Sequence, residues 1–242
     1  AELAQAEGLK LDEASFKTCW EEHQRVSTSK QVEVWKASAL QDAKRYAHAE
    51  GGGVVGKGPG LFAQAVEEAF PLLPKEDEGR LTNPRIRAHF FTRIFALARL
   101  RRVEDLPGLM AFHARYKLLL LAYNQKEARA LGRLLAGARG RPFPEVHGAY
   151  EEGFLRATER PWRLGAMADA LLHAFGFFKK ALAPREKAHF LDLLADFREE
   201  RLPLEAPLAL LASWARRFAE PYVEAQALLE PYPRALMHVP GA

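Results

Sequence analysis

The chain has 242 residues, 48% of them hydrophobic, with a formal net charge of +4 and one cysteine. That is enough for one large or two small cores, and no apolar run approaches the ~20 residues of a membrane span, the longest being LLLLA at 118–122. Cys19 alone excludes an internal disulfide and any all-cysteine metal or iron–sulfur site built from this chain by itself. The first residues, AELAQAEGLKLDE, are acidic and lack the basic start and apolar centre of a signal peptide, so a water-soluble, cytoplasmic protein is expected. Charge is uneven: residues 99–141 hold ten Lys or Arg against three acids, +7 in one segment, leaving −3 elsewhere. A concentrated basic excess is a footprint that a phosphate-rich partner can use.

In chain order, residues 1–50 are polar and weakly patterned; DEASFKTCWEEHQRV reads as a helix, while QVEVW alternates like a short strand. GGGVVGKGPG, 51–60, breaks regular structure and lacks the spacing and final Lys-Ser/Thr of a P-loop, so it reads as a flexible turn. LFAQAVEEAF has the spacing of a short helix ended by PLLP. Asn83 before Pro84 is an N-cap signal and starts a helix running to about residue 102. A helical pattern then runs from Pro107 to Leu135 and is broken by GARGRPFP. Further helices are expected over 145–159, from Pro161 to 182, from Pro184 to about Arg201 with Glu186 near its positive end, and from Pro207 onward, with Pro221 as a kink or break. The expected fold is mainly α: a C-terminal all-α bundle over 104–242, preceded by a small, partial α/β segment over 1–103.

Taken as one helix from 107 to 135, Arg115, Lys126, Arg129 and Arg133 fall within about 60° of one another. His113, Lys117 and Asn124 lie nearly opposite. Leu118, Leu119, Leu121, Tyr123 and Leu134 come between, so the helix should be wrapped by neighbours. Two readings of the cations stand side by side: they snorkel or pair with acids such as Glu151, Glu152, Asp192 or Asp196, or they line a groove that takes phosphate. His113 and His173 form a candidate polar pair, either a hydrogen-bonded core pair or an acid–base or metal pair, although no carboxylate stands at ligand spacing from either. The serines lack a Gly-x-Ser-x-Gly elbow, which argues against a serine hydrolase. FGFF at 175–178 reads as core, and Trp162, near a helix start, as the better base-stacking candidate.

HARYKLLLLAYNQKEARALGRLLA, with LLHAFGFFKKALAPREKAHFLDLLADFREERLPLEAPLALLASWARRF and the ending LLEPYPRALM, closely resembles the YbgA-like domain over about 106–238. In that family's pattern His113, Lys117, Tyr123, Asn124, Gln125, Arg129 and Gly132 belong to a first motif, and His173, Gly176, Lys179, Glu186 and Lys187 to a second. The preceding GKGPGLFAQAVEEAFPLLPKEDEGRLTNPRIRAHFFTRIFALARLR resembles the end of a thiouracil desulfidase-type domain. The resemblance implies removal of sulfur from 4-thiouridine in tRNA, with an iron–sulfur cluster in the first domain and RNA binding in the second. Where that domain carries a Ser-Pro-Ser-Cys-Gly motif, this chain reads WKASALQDAKRYA, 35–47, without the cysteine. The chain is therefore expected to hold no cluster or other cofactor of its own. The expected function is a tRNA-binding module, with Arg115, Lys117, Lys126, Arg129 and Arg133 on phosphates and Asn124, Gln125 or Trp162 meeting a base or ribose. His113, Tyr123, His173 and Lys179 are a candidate polar core site. The alternative is a cluster-dependent desulfidase whose cluster-binding part comes from a partner subunit or domain.

Overall fold

The computed structural model describes residues 68–76 and 79–237. Residues 1–67 of the sequence-predicted α/β segment, with the QVEVW strand, Cys19 and WKASALQDAKRYA, lie outside the described residues. Among the described residues the structure is helical and contains no strand. Its main helices are α1 (Pro84–Leu100), α2 (Leu106–Tyr123), α3 (Gln125–Ala136), α4 (Phe143–Ala157), α5 (Leu164–Gly176), α6 (Pro184–Arg198), α7 (Glu205–Arg217) and the single turn α8 (Pro221–Glu224).

Local chemistry sets most of the boundaries. Asn83 caps α1, its Oδ1 accepting from the N–H groups of Arg85 (2.9 Å) and Ile86 (3.3 Å), with Pro84 in the first turn. Asp105 caps α2 by accepting from Gly108 N–H at 2.8 Å. Glu186, in the first turn of α6, accepts from Ala183 N–H at 2.8 Å and from Arg217 of α7 at 2.6 Å; the backbone bond first, and the guanidinium second, hold its carboxyl below the usual range.

α2 is the hub. It buries Leu109, Phe112, Tyr116, Leu118, Leu119, Leu120 and Ala122, packs chiefly on α5, and also touches α3 and α4. A helix with this much apolar surface has to be covered over most of its circumference. α6 and α7 close around α5 through Phe175, Phe190 and Trp214, the first two stacked at 4.6 Å between centroids. α1 belongs to this compact unit, which begins at Pro74. Specific bonds join α1 to α4. His147 Nε2 donates to the Leu100 carbonyl at 3.0 Å, and Arg101 reaches Glu151 at 2.7 Å.

The single helix expected over 107–135 is two. Asn124 is extended (φ −156°, ψ 100°), ending α2 and capping α3 by accepting from Lys126 N–H (3.1 Å) and Glu127 N–H (3.2 Å). The expected helix from Pro161 to 182 is likewise shorter, leaving FFKKAL in turns after α5. After Asn124 the chain folds back. α3 packs on α4 through Ala128, Leu131 and Leu135, and Leu131 fits over Gly153, where an added Cβ would lie 2.7 Å from a Leu131 methyl.

At the other end of the unit, the buried Gln226 bridges one turn of α2. Its Oε1 accepts from Leu118 N–H at 3.2 Å and its Nε2 donates to the Ala114 carbonyl at 2.9 Å, while Ala227 N–H donates to the Arg115 carbonyl at 2.9 Å.

Asn124→Ala should lower the unfolding free energy by about 1 kcal/mol, whereas Asn124→Asp should retain most of it, as read from urea midpoints. Equal losses for both variants would show that the cap is not what Asn124 supplies. Gly153→Val should cost about 1–3 kcal/mol by overpacking Leu131, read in the same way.

Candidate functional site

The cations of α3 separate cleanly from its buried face. Lys126, Arg129 and Arg133 are exposed and lie within about 60° on the helix, opposite Ala128, Leu131 and Leu135. The acids expected to neutralise them are largely engaged elsewhere. Glu151 pairs with Arg101, Glu152 with Arg156 and Asp196 with Arg201. Among the described residues no ion pair is formed by Arg115, Lys126, Arg129 or Arg133. Lys126 sits in the first turn of α3, at the positive end of the helix dipole, where a cation is disfavoured by about 0.3–1 kcal/mol and an anion is favoured. Arg115 is also exposed, but it lies on α2, so the break at Asn124 removes it from the shared stripe.

The remaining predicted contacts are distributed differently. Gln125 is exposed at the start of α3, whereas the Asn124 side-chain oxygen is engaged in the cap. Trp162 is half-buried: Arg85 lies 5.5 Å above its ring and Phe197 packs against it at 6.3 Å, so it is no open stacking platform. Lys179 lies 5.7 Å from the Phe175 ring centroid.

The four residues expected in one polar core fall into separate places. Tyr123 joins His89, 34 positions earlier, with His89 Nδ1 and the Tyr123 hydroxyl 3.0 Å apart and their rings stacked at 5.6 Å. Burial above all, and the Arg93 guanidinium next, lower the His89 pKa to about 4, against the opposing pull of the Glu159 backbone carbonyl. A neutral His89 accepts from the Tyr123 hydroxyl at Nδ1. Burial raises the Tyr123 pKa, so the phenol keeps its proton. The pair ties α1 to the end of α2.

His113 and His173 do come together. They line one open groove of about 320 Å³ with Lys117, Met110, Phe177 and Tyr222. His113 Nδ1 lies 3.0 Å from the buried Tyr150 hydroxyl. Burial raises the Tyr150 pKa, and among the described residues His113 is that phenol's only hydrogen-bond partner, so Tyr150 donates and the His113 proton sits on Nε2. Desolvation, then Lys117, lower the His113 pKa and favour this neutral ring. Among the described residues no three His, Cys, Asp or Glu side chains are grouped to hold a metal ion.

Residues 117–233 match the sequence profile of the family described as "Protein of unknown function (DUF1722)". Over 149 residues, 60% of this chain and 88% of the relative, the sequence is 26% identical to "Uncharacterized protein YbgA" of Escherichia coli (strain K12). The C-terminal part of the chain is a YbgA-like domain. No solved structure matches the chain. Both the cationic face of α3 and the Lys117 end of the groove fall inside the stretch matched to the family. His113 and α1 lie just upstream of it in sequence but in the same compact unit as the YbgA-like domain. No helix among the described residues is long and apolar enough to cross a membrane.

Because the folded-state pKa of His89 is depressed, the unfolded chain takes up a proton near pH 6.5 that the folded chain refuses until about 4. Stability is therefore full above about pH 6.5 and declines as pH falls toward 4. The urea midpoint should drop between pH 7 and pH 5 by more in the wild type than in His89→Gln. Equal drops would place the acid sensitivity elsewhere.

Proposed function

We propose that this YbgA-like domain is an RNA-binding module, with tRNA as its partner, and that the outer face of α3 is its phosphate-contacting surface. The observation that carries the reading is the set of exposed cations on α3, Lys126, Arg129 and Arg133, which form no ion pair among the described residues. Arg101, Arg141, Arg156, Arg198 and Arg217 each have a carboxylate partner, whereas Arg102, Arg139, Arg160, Arg163 and Arg185 are exposed with no ion pair among the described residues; what sets α3 apart is that three such cations share one helix face. Three such cations at i, i+3 and i+7 follow the direction of one helix, and phosphates spaced along a nucleic-acid backbone can engage them in sequence. The positive end of α3 supports the same ligand chemistry. Gln125 adds a polar group in the first turn of α3, while Arg115 and Lys117 are exposed on α2, off the α3 stripe. The choice of tRNA rests on the family resemblance, which associates such domains with 4-thiouridine removal from tRNA. Desulfuration itself would need a cluster from a partner subunit or domain.

Fluorescence anisotropy of labelled tRNA at two salt concentrations, with duplex DNA of equal charge as competitor, tests this reading. Binding should weaken steeply with salt and prefer tRNA. Arg129→Ala and Arg133→Ala should each weaken it for all RNA sequences alike and reduce the salt slope by about one unit or somewhat less. Affinity that is indifferent to salt, or unchanged in the double variant, would remove the α3 face from consideration.

A further inference from the structure

The groove beside α2 has a chemistry that the α3 face does not explain. The groove's polar lining is Lys117, His173 and the His113 ring, with Lys117 as the cation and the His173 ring packed edge-on against Phe177 at 6.2 Å between centroids. The rest is flat and apolar. Phe177 stacks on Tyr222 with centroids 5.0 Å apart and planes 30° from parallel, yet 43% of Phe177 remains exposed, and Met110 on the same groove is 53% exposed. Two large apolar side chains left open to water beside one groove mark a binding surface more often than a packing fault. Among the described residues no carboxylate lines the groove, so none of its walls repels an anion. The volume of about 320 Å³ is at the small end of ligand sites, suited to a single compact molecule.

We propose that this groove binds one nucleotide unit, with its planar base against Phe177 and Tyr222 and its phosphate at Lys117 and His173, beside the His113 ring. The ligand is either a free ribonucleoside 5′-monophosphate or one unstacked residue of an RNA chain; both present a ring and a phosphate at the same separation. The Tyr150 hydroxyl, 3.0 Å from His113 Nδ1, holds the His113 ring in the groove wall. The inference stands apart from RNA binding by α3, because the groove's residues are on α2, on α5 with the turn that follows it, and on α8.

The test is titration of the intact chain with each of the four ribonucleoside 5′-monophosphates, with uridine and inorganic phosphate as fragments, followed by NMR of ¹⁵N-labelled histidine rings. At least one monophosphate should bind saturably, about ten-fold or more tighter than either fragment, and shift the His113 and His173 signals. Lys117→Ala and Phe177→Ala should each weaken that binding about five-fold or more. Both residues are exposed, and thermal melts confirm that each variant remains folded. Arg129→Ala should leave monophosphate binding intact, which separates failure here from failure of the α3 surface. Tighter binding of a tetrauridylate than of uridine monophosphate, lost in Lys117→Ala, would identify the RNA residue as the source; equal affinity would identify the free nucleotide. No saturable binding at millimolar concentration, phosphate binding as tightly as the monophosphates, or an unaltered Phe177→Ala titration would each overturn the proposal.

Discussion

The unit is arranged around a helix most of whose circumference is buried. α2 leaves the side with Met110, Ala114 and Lys117 open, and the chain on either side of it returns to cover the rest. Asn124 makes that return with a single residue. Its extended backbone ends α2, and its side-chain oxygen satisfies two N–H groups that the start of α3 would otherwise leave open. Because α3 is then a separate helix lying on α4, its apolar stripe can point inward while Lys126, Arg129 and Arg133 point out. A continuous helix would have carried those cations along the axis of α2, away from the α4 surface on which Leu131 now rests.

The two histidine–tyrosine pairs show how similar contacts can serve opposite ends. His89 is stacked on Tyr123 and bonded to its hydroxyl, in a low-dielectric setting that keeps it neutral. Its work is to fasten α1 to the end of α2. His113 is held on one side only, by Tyr150. A ring anchored by a buried phenol and still carrying a donor is preorganised for a ligand, since its orientation and tautomer are fixed before anything arrives.

Much of this was legible in the sequence where one residue type has one local job. Asn83-Pro84 and Pro184 with Glu186 marked helix starts because caps and first-turn prolines act over three or four positions, and Pro221 marked the break before the last turn. The split at Asn124 was hidden because LLLLAYNQKEARALGRLL keeps helical spacing straight through it; the phase of the apolar residues is the same whether one helix continues or a second begins. Trp162 looked exposed because sequence gives no sign that Arg85 and Phe197, far away in the chain, occupy its surroundings. His113 and His173 could be paired from the family motifs, but assigning Tyr123 to His89 requires knowing that α1 packs beside the end of α2. The short loops of the bundle could be expected; which helices cross could not.

Gln226 bears on how this unit comes into being. A turn of its most deeply buried helix is bridged by a side chain that lies 108 residues later in the chain. As the polypeptide is synthesised from the N-terminus, α2 emerges early and its 114–118 turn stays incomplete until almost the whole unit has been made. A segment made about a hundred residues later thus completes a turn of a core helix. A chain that stops before Gln226 lacks both side-chain bonds to that turn of α2.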